Sequence, residues 1–294
     1  MILSVENLQK NYRKQAVLKG VNIQLDTPQI IALVGPNGSG KTTLFNCITN
    51  LVSINQGKIE VLSKKHTDPS IFKEIAYLQD NRVLYGNLTA HDHLKFVCDV
   101  QNLDRTKLKE VVERVGMESY LNKRVNSFSL GMKQHLLLAI VLLNDPKLLL
   151  LDEPLNGLDP TSAINMRNIL LELREAGTTI IISSHNLDEI DKLTNKIYFM
   201  KEGEIIEESL EDFIAKEYFM RVNDLEKAQV ILKEKEVPFS VYNQEQINFV
   251  DTDIEIQTII HYLNEQGLTI LDIDHERIGA ERRYQQLFER VHQG

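Results

Sequence analysis

The segment Gly35-Pro36-Asn37-Gly38-Ser39-Gly40-Lys41-Thr42 constrains this chain more than any other. It has the spacing G-x-x-x-x-G-K-[ST], follows the apolar run Ile30–Val34 and precedes a helical stretch opening with Thr43-Leu44. In that context it predicts a phosphate-binding loop between a buried strand and a helix. Glycines let backbone N–H groups turn inward, and the helix N-terminus adds partial positive charge. Lys41 supplies a point charge and the Thr42 hydroxyl can ligate Mg²⁺. A glycine-rich turn that binds nothing does not account for four fixed positions in this setting. Gly35, Pro36, Asn37, Gly38, Ser39, Gly40, Lys41, Thr42 and Thr43 are therefore the candidate phosphate contacts.

Ile30–Val34, Leu148–Leu151 and Thr179–Ile182 are nearly all apolar and bounded by Gly, Asp or Ser, as suits strands buried on both faces of a parallel sheet. Between about residues 84 and 144 strand signals give way to helical spacing, as in Thr106–Val115 and Met132–Leu143, and Pro146 restarts the strands. The expectation is an α/β P-loop NTPase core, residues 1–213, with a helical subdomain inserted at about 84–144. Past Ile206 the order is strand Phe219–Val222, helix Asp224–Lys235, strands Phe239–Tyr242 and Ile247–Val250, helix Ile254–Gln266 and strand Thr269–Asp274. Asp224 and Asp253 read as N-caps and Gly267 as a helix stop. This βαββαβ order predicts a small α+β, ferredoxin-like domain over 214–294, ending in a helix near Ala280–Val291.

Leu148-Leu149-Leu150-Leu151-Asp152-Glu153 is a buried strand ending in two carboxylates. Ligands of parallel sheets gather beyond the C-terminal strand ends, so Asp152 is positioned to hold Mg²⁺, through water, and Glu153 to orient or deprotonate an attacking water. Alone, such a run is equally a strand end before a helix cap; beside a phosphate loop it becomes a hydrolysis site. Thr178–Ser184 closes in the same way on His185, on a strand expected beside that of Asp152, which points to contact with the γ-phosphate and the water.

Together these residues resemble the ATP-binding cassette family, specifically the nucleotide-binding subunit of a transporter, over roughly residues 1–210. In that family Tyr12 would be the aromatic that stacks on adenine and Gln79 the glutamine at the hinge to the helical subdomain, sensing the γ-phosphate or Mg²⁺. Ser127-Phe128-Ser129-Leu130-Gly131-Met132-Lys133-Gln134 is similar to its signature, Leu158-Asp159 to its dimer-contact loop and His185 to its switch histidine. The signature departs from Leu-Ser-Gly-Gly-Gln at Phe128, Leu130 and Met132 but keeps Ser129 and Gly131; this style is similar to subunits serving export-type partners. The resemblance implies two copies head to tail, each ATP lying between one chain's loop and Ser129 and Gly131 of the other, with Asp159 at the contact. It also implies a separate membrane permease, whose helix would dock on a groove formed by residues 80–93. The resemblance leaves two forms of the second subunit open, an identical chain and a closely related one.

Composition fits a cytoplasmic protein, and the resemblance implies that its membrane partner holds it peripherally on the inner face of the cell membrane. No apolar run approaches the roughly 20 residues a bilayer requires, and the N-terminus opens on a strand-like pattern rather than a leader. Cys47 and Cys98 lack metal-ligand spacing. Residues 1–210 carry 24 Lys/Arg against 25 Asp/Glu, and 211–294 carry 9 against 17. The acidic C-terminal part argues against nucleic acid as a partner. A soluble member of the family acting on ribosomes or nucleic acid is the alternative, and one cassette without a heptad run speaks against it. A degenerate binder using ATP only as a ligand is opposed by intact Lys41, Asp152, Glu153 and His185. Cargo contacts would belong to the membrane partner.

Overall fold

In the computed structural model, which describes residues 1–13, 15–79, 81–210, 216–243, 245–250, 254–277 and 279–288, the chain opens with strands β1 (Leu3–Tyr12) and β2 (Gln15–Leu25). They pair antiparallel, and alternating residues turn inward, as the period of a strand dictates. Strand β3 (Ile30–Val34) is buried at every position. It leads into helix α1 (Lys41–Ile48), followed by β4 (Gln56–Val61), β5 (Lys64–Lys65) and β6 (Ile75–Leu78). Helices α2 (Ala90–Gln101), α3 (Arg105–Val115) and α4 (Leu130–Leu142) come next. The chain then alternates as β7 (Leu148–Asp152), α5 (Pro160–Glu175), β8 (Thr179–Ser183), α6 (Leu187–Asp191), β9 (Lys196–Lys201) and β10 (Glu204–Ser209).

These strands form a four-stranded sheet in the order β2-β1-β4-β5 and a six-stranded sheet in the order β10-β9-β3-β8-β7-β6. Strands β9, β3, β8, β7 and β6 run parallel, so the ends of β3, β7 and β8 lie on one edge. Leu44, Phe45 and Ile48 of α1 share a hydrophobic cluster with Leu3, Val5 and Leu8 of β1 and with Ile31, Leu33, Leu148, Leu150 and Ile181 of the parallel strands. The first helix is thus sealed between the two sheets and fixes the loop before it.

Helices α2, α3 and α4 are inserted between the neighbouring strands β6 and β7. Local chemistry sets their boundaries: Thr89 and Asp92 form a capping box on α2, Asp104 caps α3, and Gly116 ends it in the left-handed region. Ser129 caps α4, whose buried residues include Leu136, Leu137, Leu138 and Val141, so it is apolar nearly all round and packs as the subdomain's central helix.

The chain divides into two compact units, Met1–Glu208 and Ser209–Gly294; the expected boundary at 213/214 lies outside the described residues. The second unit contains β11 (Lys216–Val222), α7 (Leu225–Glu234), β12 (Ser240–Tyr242), β13 (Gln246–Val250), α8 (Ile256–Glu265), β14 (Ile270–Arg277) and α9 (Ala280–Phe288). Its antiparallel sheet runs β12-β13-β11-β14, and Tyr218, Met220, Ile247 and Phe249 pack against Ala228, Ile231, Leu232, Ile259 and Leu263 of the helices. Asp224 caps α7 through the Lys227 N–H, and Gly267 adopts a left-handed φ of 75° after α8. The start of α8 differs from expectation: the helix begins at Ile256, and Glu255 holds the N-cap position without a side-chain bond. Asp253 lies outside the described residues, as does the expected last helix beyond Phe288. Ile254 and Ile256 both pack on the core, so apolar periodicity alone overran the helix start. Among the described residues no helix is long and apolar enough to cross a membrane.

Candidate active site

The loop from Gly35 to Gly40 owes its shape to its glycines. A Cβ on Gly35 would lie 2.6 Å from the Met200 carbonyl oxygen and 2.8 Å from Ser39 Oγ. Gly38 and Gly40 have φ of 81° and 113°, a region that side chains rarely occupy. Gly40 is the N-cap of α1 and supplies no side-chain cap, so N–H groups of the first turn remain available to an anion, where the helix dipole favours one. Lys41, 7% exposed, folds back across the loop and donates to the carbonyls of Gly35 at 2.6 Å and Pro36 at 3.4 Å. Burial lowers its pKa, while Glu153 and Asp152 oppose that shift. The Ser39 hydroxyl is buried and has no hydrogen-bond partner among the described residues.

An open cavity of about 630 Å³ lies over the loop. It is lined by Asn37, Gly38, Gly40, Lys41, Thr42 and Thr43, by Asp152, Glu153 and His185 from the strand ends, and by Tyr12 and Val17 at one side. Asp152 accepts from the Thr42 hydroxyl at 2.7 Å through one carboxylate oxygen and from the Ser183 hydroxyl at 2.6 Å through the other. The Tyr77 hydroxyl stands 3.5 Å from the first oxygen; burial, then the charge of Asp152, raises its pKa. Glu153 has a φ of 53°, and its N–H bonds to the carbonyl and hydroxyl oxygens of Ser183 at 3.1 and 3.0 Å. Its carboxylate accepts from the His185 N–H at 3.2 Å and lies 3.0 Å from His185 Nε2. Burial pushes the Glu153 pKa up, and the charges of His185 and Lys41 pull against it. A carboxylate with a raised pKa next to an imidazole, at the mouth of a phosphate loop, is suited to accept a proton from water.

Tyr12, at the end of β1, is half-exposed with Lys10 Nζ 5.0 Å from its ring centroid, leaving the rest of the ring for a planar group. The other sequence candidates lie apart from this constellation. Gln79 lines a second, largely apolar cavity of about 510 Å³ with Val83, Tyr85, Leu88 and Phe96. Ser129 caps α4 through the Met132 N–H, and Asp159 caps α5 through the N–H and hydroxyl of Ser162. Gly131 faces this group: its Cβ would lie 3.3 Å from Ser162 Oγ and 3.8 Å from an Asp159 oxygen. Their neighbours Leu130 and Gln134 line the first cavity, with Asn156; sequence reasoning named Leu130 and Gln134 only as members of the signature, and it missed Asn156, Ser183, Tyr77 and Val17. A hydroxyl ending an otherwise apolar strand was the one available signal, for Ser183.

Comparison with known proteins bears on the same residues. The family described as ABC transporter matches residues 18–156. The lantibiotic transport ATP-binding protein SrtF of Streptococcus pyogenes is 38% identical over 205 residues, 70% of this chain and 89% of that protein. An uncharacterized ABC transporter ATP-binding protein, YcbN of Bacillus subtilis (strain 168), is 33% identical over 285 residues, 94% of this chain and 91% of the relative; that likeness continues through the second unit. A solved ATP-binding subunit of an ABC transporter superposes with a TM-score of 0.67 at 27% identity, covering 72% of this chain and 92% of the other.

Proposed function

The chain belongs to the ABC transporter family as one of its ATP-binding, ATP-hydrolysing subunits, and from that premise we propose how its own residues bind ATP, hydrolyse it and couple that to export. The convergence of Lys41, Thr42, Asp152, Glu153 and His185 on one cavity carries this reading. ATP enters with its triphosphate along the Gly35–Gly40 loop; Lys41 exchanges its carbonyl partners for β- and γ-phosphate oxygens. Tyr12 stacks on the adenine, an interaction of roughly 1–3 kcal/mol by analogy with base–aromatic stacking. Glu153, steadied by His185, takes a proton from the attacking water, while Lys41 and the loop amides stabilise charge on the transferring phosphoryl group.

The Thr42 hydroxyl and the Asp152 carboxylate, 2.7 Å apart, form a hard-oxygen pair suited to Mg²⁺, which keeps most of its waters and takes few protein ligands. Bound there, Mg²⁺ would neutralise phosphate charge.

Ser129 and Gly131 would serve the nucleotide of a second copy or a closely related chain, with Asp159 at the contact. Gln79 would sense nucleotide through the helical subdomain. The second cavity supports docking of an integral membrane permease: Tyr85 is 71% and Phe96 66% exposed around it, a patch better explained by a partner than by water. Of the groove expected at residues 80–93, Asp80 lies outside the described residues. Through that partner the chain sits at the cytoplasmic face of the membrane. The sheet order β12-β13-β11-β14 supports a ferredoxin-like domain over residues 214–294, which would act in dimerisation or regulation. The lantibiotic transport named for the streptococcal relative supports export.

The test is purification of the tagged chain from detergent-solubilised native membranes, with ATPase assayed on the eluate. A co-purifying multi-spanning protein that stimulates Lys41-dependent hydrolysis is expected. A chain that elutes alone or with ribosomes, or whose hydrolysis survives Lys41→Ala, refutes the proposal.

A further inference from the structure

We infer that Ser183 is a positioning residue for hydrolysis, fixing the metal-side carboxylate and the water-side carboxylate with one hydroxyl; the inference rests on the function proposed above. Ser183 is fully buried, at 0% exposure. It ends the run Thr179-Ile180-Ile181-Ile182, and a hydroxyl there needs partners that no apolar neighbour offers. Strand pairing supplies them: β7 and β8 run parallel with Asp152 opposite Ser183. Leu150 and Ile181, one pleat earlier, belong to the cluster packed on α1. Alternation therefore turns Asp152 and Ser183 towards the helix that carries Thr42.

A serine hydroxyl has one proton to give and lone pairs to accept with, and both capacities are used. It donates to Asp152 Oδ1 at 2.6 Å and accepts the Glu153 N–H at 3.0 Å. With Thr42 on Oδ2 at 2.7 Å, both oxygens of Asp152 are pinned and its carboxylate plane is fixed. The Glu153 contact matters because that residue holds a left-handed φ of 53°, sparsely populated by residues with side chains. Ser183 contributes both acceptors of its N–H. Alanine at 183 would leave only the carbonyl, freeing Asp152 to rotate and loosening the turn that aims Glu153. Ser183 is not among the residues that line the cavity; it acts through Asp152 and Glu153.

The test compares the full chain with Ser183→Ala and Ser183→Thr. Measurements are kcat, the Mg²⁺ concentration for half-activation, binding of a fluorescent ATP analogue with and without Mg²⁺, and the melting temperature. Loss of a hydrogen bond to a charged group predicts a fall in kcat of roughly 10- to 100-fold for Ser183→Ala. A rise in half-activating Mg²⁺ and a smaller Mg²⁺-dependent gain in binding should accompany it, with metal-free affinity unchanged within about twofold. Threonine, which keeps the hydroxyl, should restore kcat to within about threefold. If its extra methyl lowers the melting temperature, the alanine variant decides alone. A Ser183→Ala variant with parental kcat and Mg²⁺ dependence overturns the inference and leaves the ATPase reading intact. So does one whose metal-free affinity and melting temperature fall in step with kcat, since that is a folding defect. A parent chain that hydrolyses no ATP overturns both.

Discussion

Replacing Glu153 by glutamine should separate catalysis from stability by moving them in different directions. The change is isosteric and removes only the charge and the proton-accepting oxygen. A positioned general base contributes about 10²- to 10⁴-fold, so the turnover barrier should rise by about 3–5 kcal/mol. Folding has the opposite bias. The Glu153 side chain is 23% exposed, and burial is the largest influence raising its pKa; this environment resists the charge. An amide escapes that penalty, and its oxygen can still accept the His185 N–H that the carboxylate accepts at 3.2 Å. The melting temperature should stay within about 2 °C of the parent or rise, one kcal/mol corresponding to about 2–4 °C in a domain of this size. Phosphate release, fluorescent nucleotide binding and thermal melting measure the three quantities, and gel filtration with ATP should reveal an accumulating dimer. Turnover within threefold of the parent would refute the role of Glu153. A melting temperature lowered by more than about 5 °C, with nucleotide binding lost in parallel, would show that the carboxylate holds the fold.

The two loop glycines should respond differently to alanine. Gly35→Ala forces a Cβ against the Met200 carbonyl and should cost about 1–3 kcal/mol by melting, with ATP binding reduced at least tenfold in a titration. Gly38→Ala meets open space and should cost only about 1–2 kcal/mol for its left-handed backbone. Cys47, whose thiol burial pushes up to about 11, and the buried Cys98 should resist a thiol reagent at pH 7.5. Full labelling of both should require denaturant, because the thiolate is the reactive form. Phe96→Glu should leave ATP binding by the isolated chain within about twofold while abolishing co-purification of a membrane partner, because its ring is exposed at the apolar cavity. A chain ending at Asp212 should lose self-association, by light scattering, more than it loses ATP binding.

Strands β3, β7 and β8 were legible because they are buried at nearly every position, on both faces of the parallel sheet, leaving unbroken apolar runs that few other structures use. The phosphate loop was legible for a related reason: its function constrains the backbone, and the backbone constrains the residue types. Helix α2 was not singled out, because Leu94 and Cys98 turn inward while Phe96 and Val100 are exposed. Two apolar faces blur the period of 3.6. Position in a motif was the only signal for the nucleotide role expected of Gln79, which lines the apolar cavity. Ser183 was hidden because its partners are Asp152 and Glu153, about thirty residues away in sequence. Only the parallel register of β7 and β8 brings them together.

The same distinction bears on why one copy of the chain would be insufficient. The loop side of the cavity carries its own cation, hydroxyl, carboxylates and imidazole, whereas Ser129, Gly131 and Asp159 gather where α4 and α5 begin. The Ser129 hydroxyl already accepts the Met132 N–H, but a hydroxyl retains its proton when it accepts. It can therefore cap its own helix and donate to a phosphate oxygen at once, on a helix end whose dipole favours that anion. Capping and phosphate recognition do not compete there, so α4 would present a formed half-site before any nucleotide arrives. ATP would then have only to bring two preorganised surfaces together, and hydrolysis, by removing the γ-phosphate they share, would separate them.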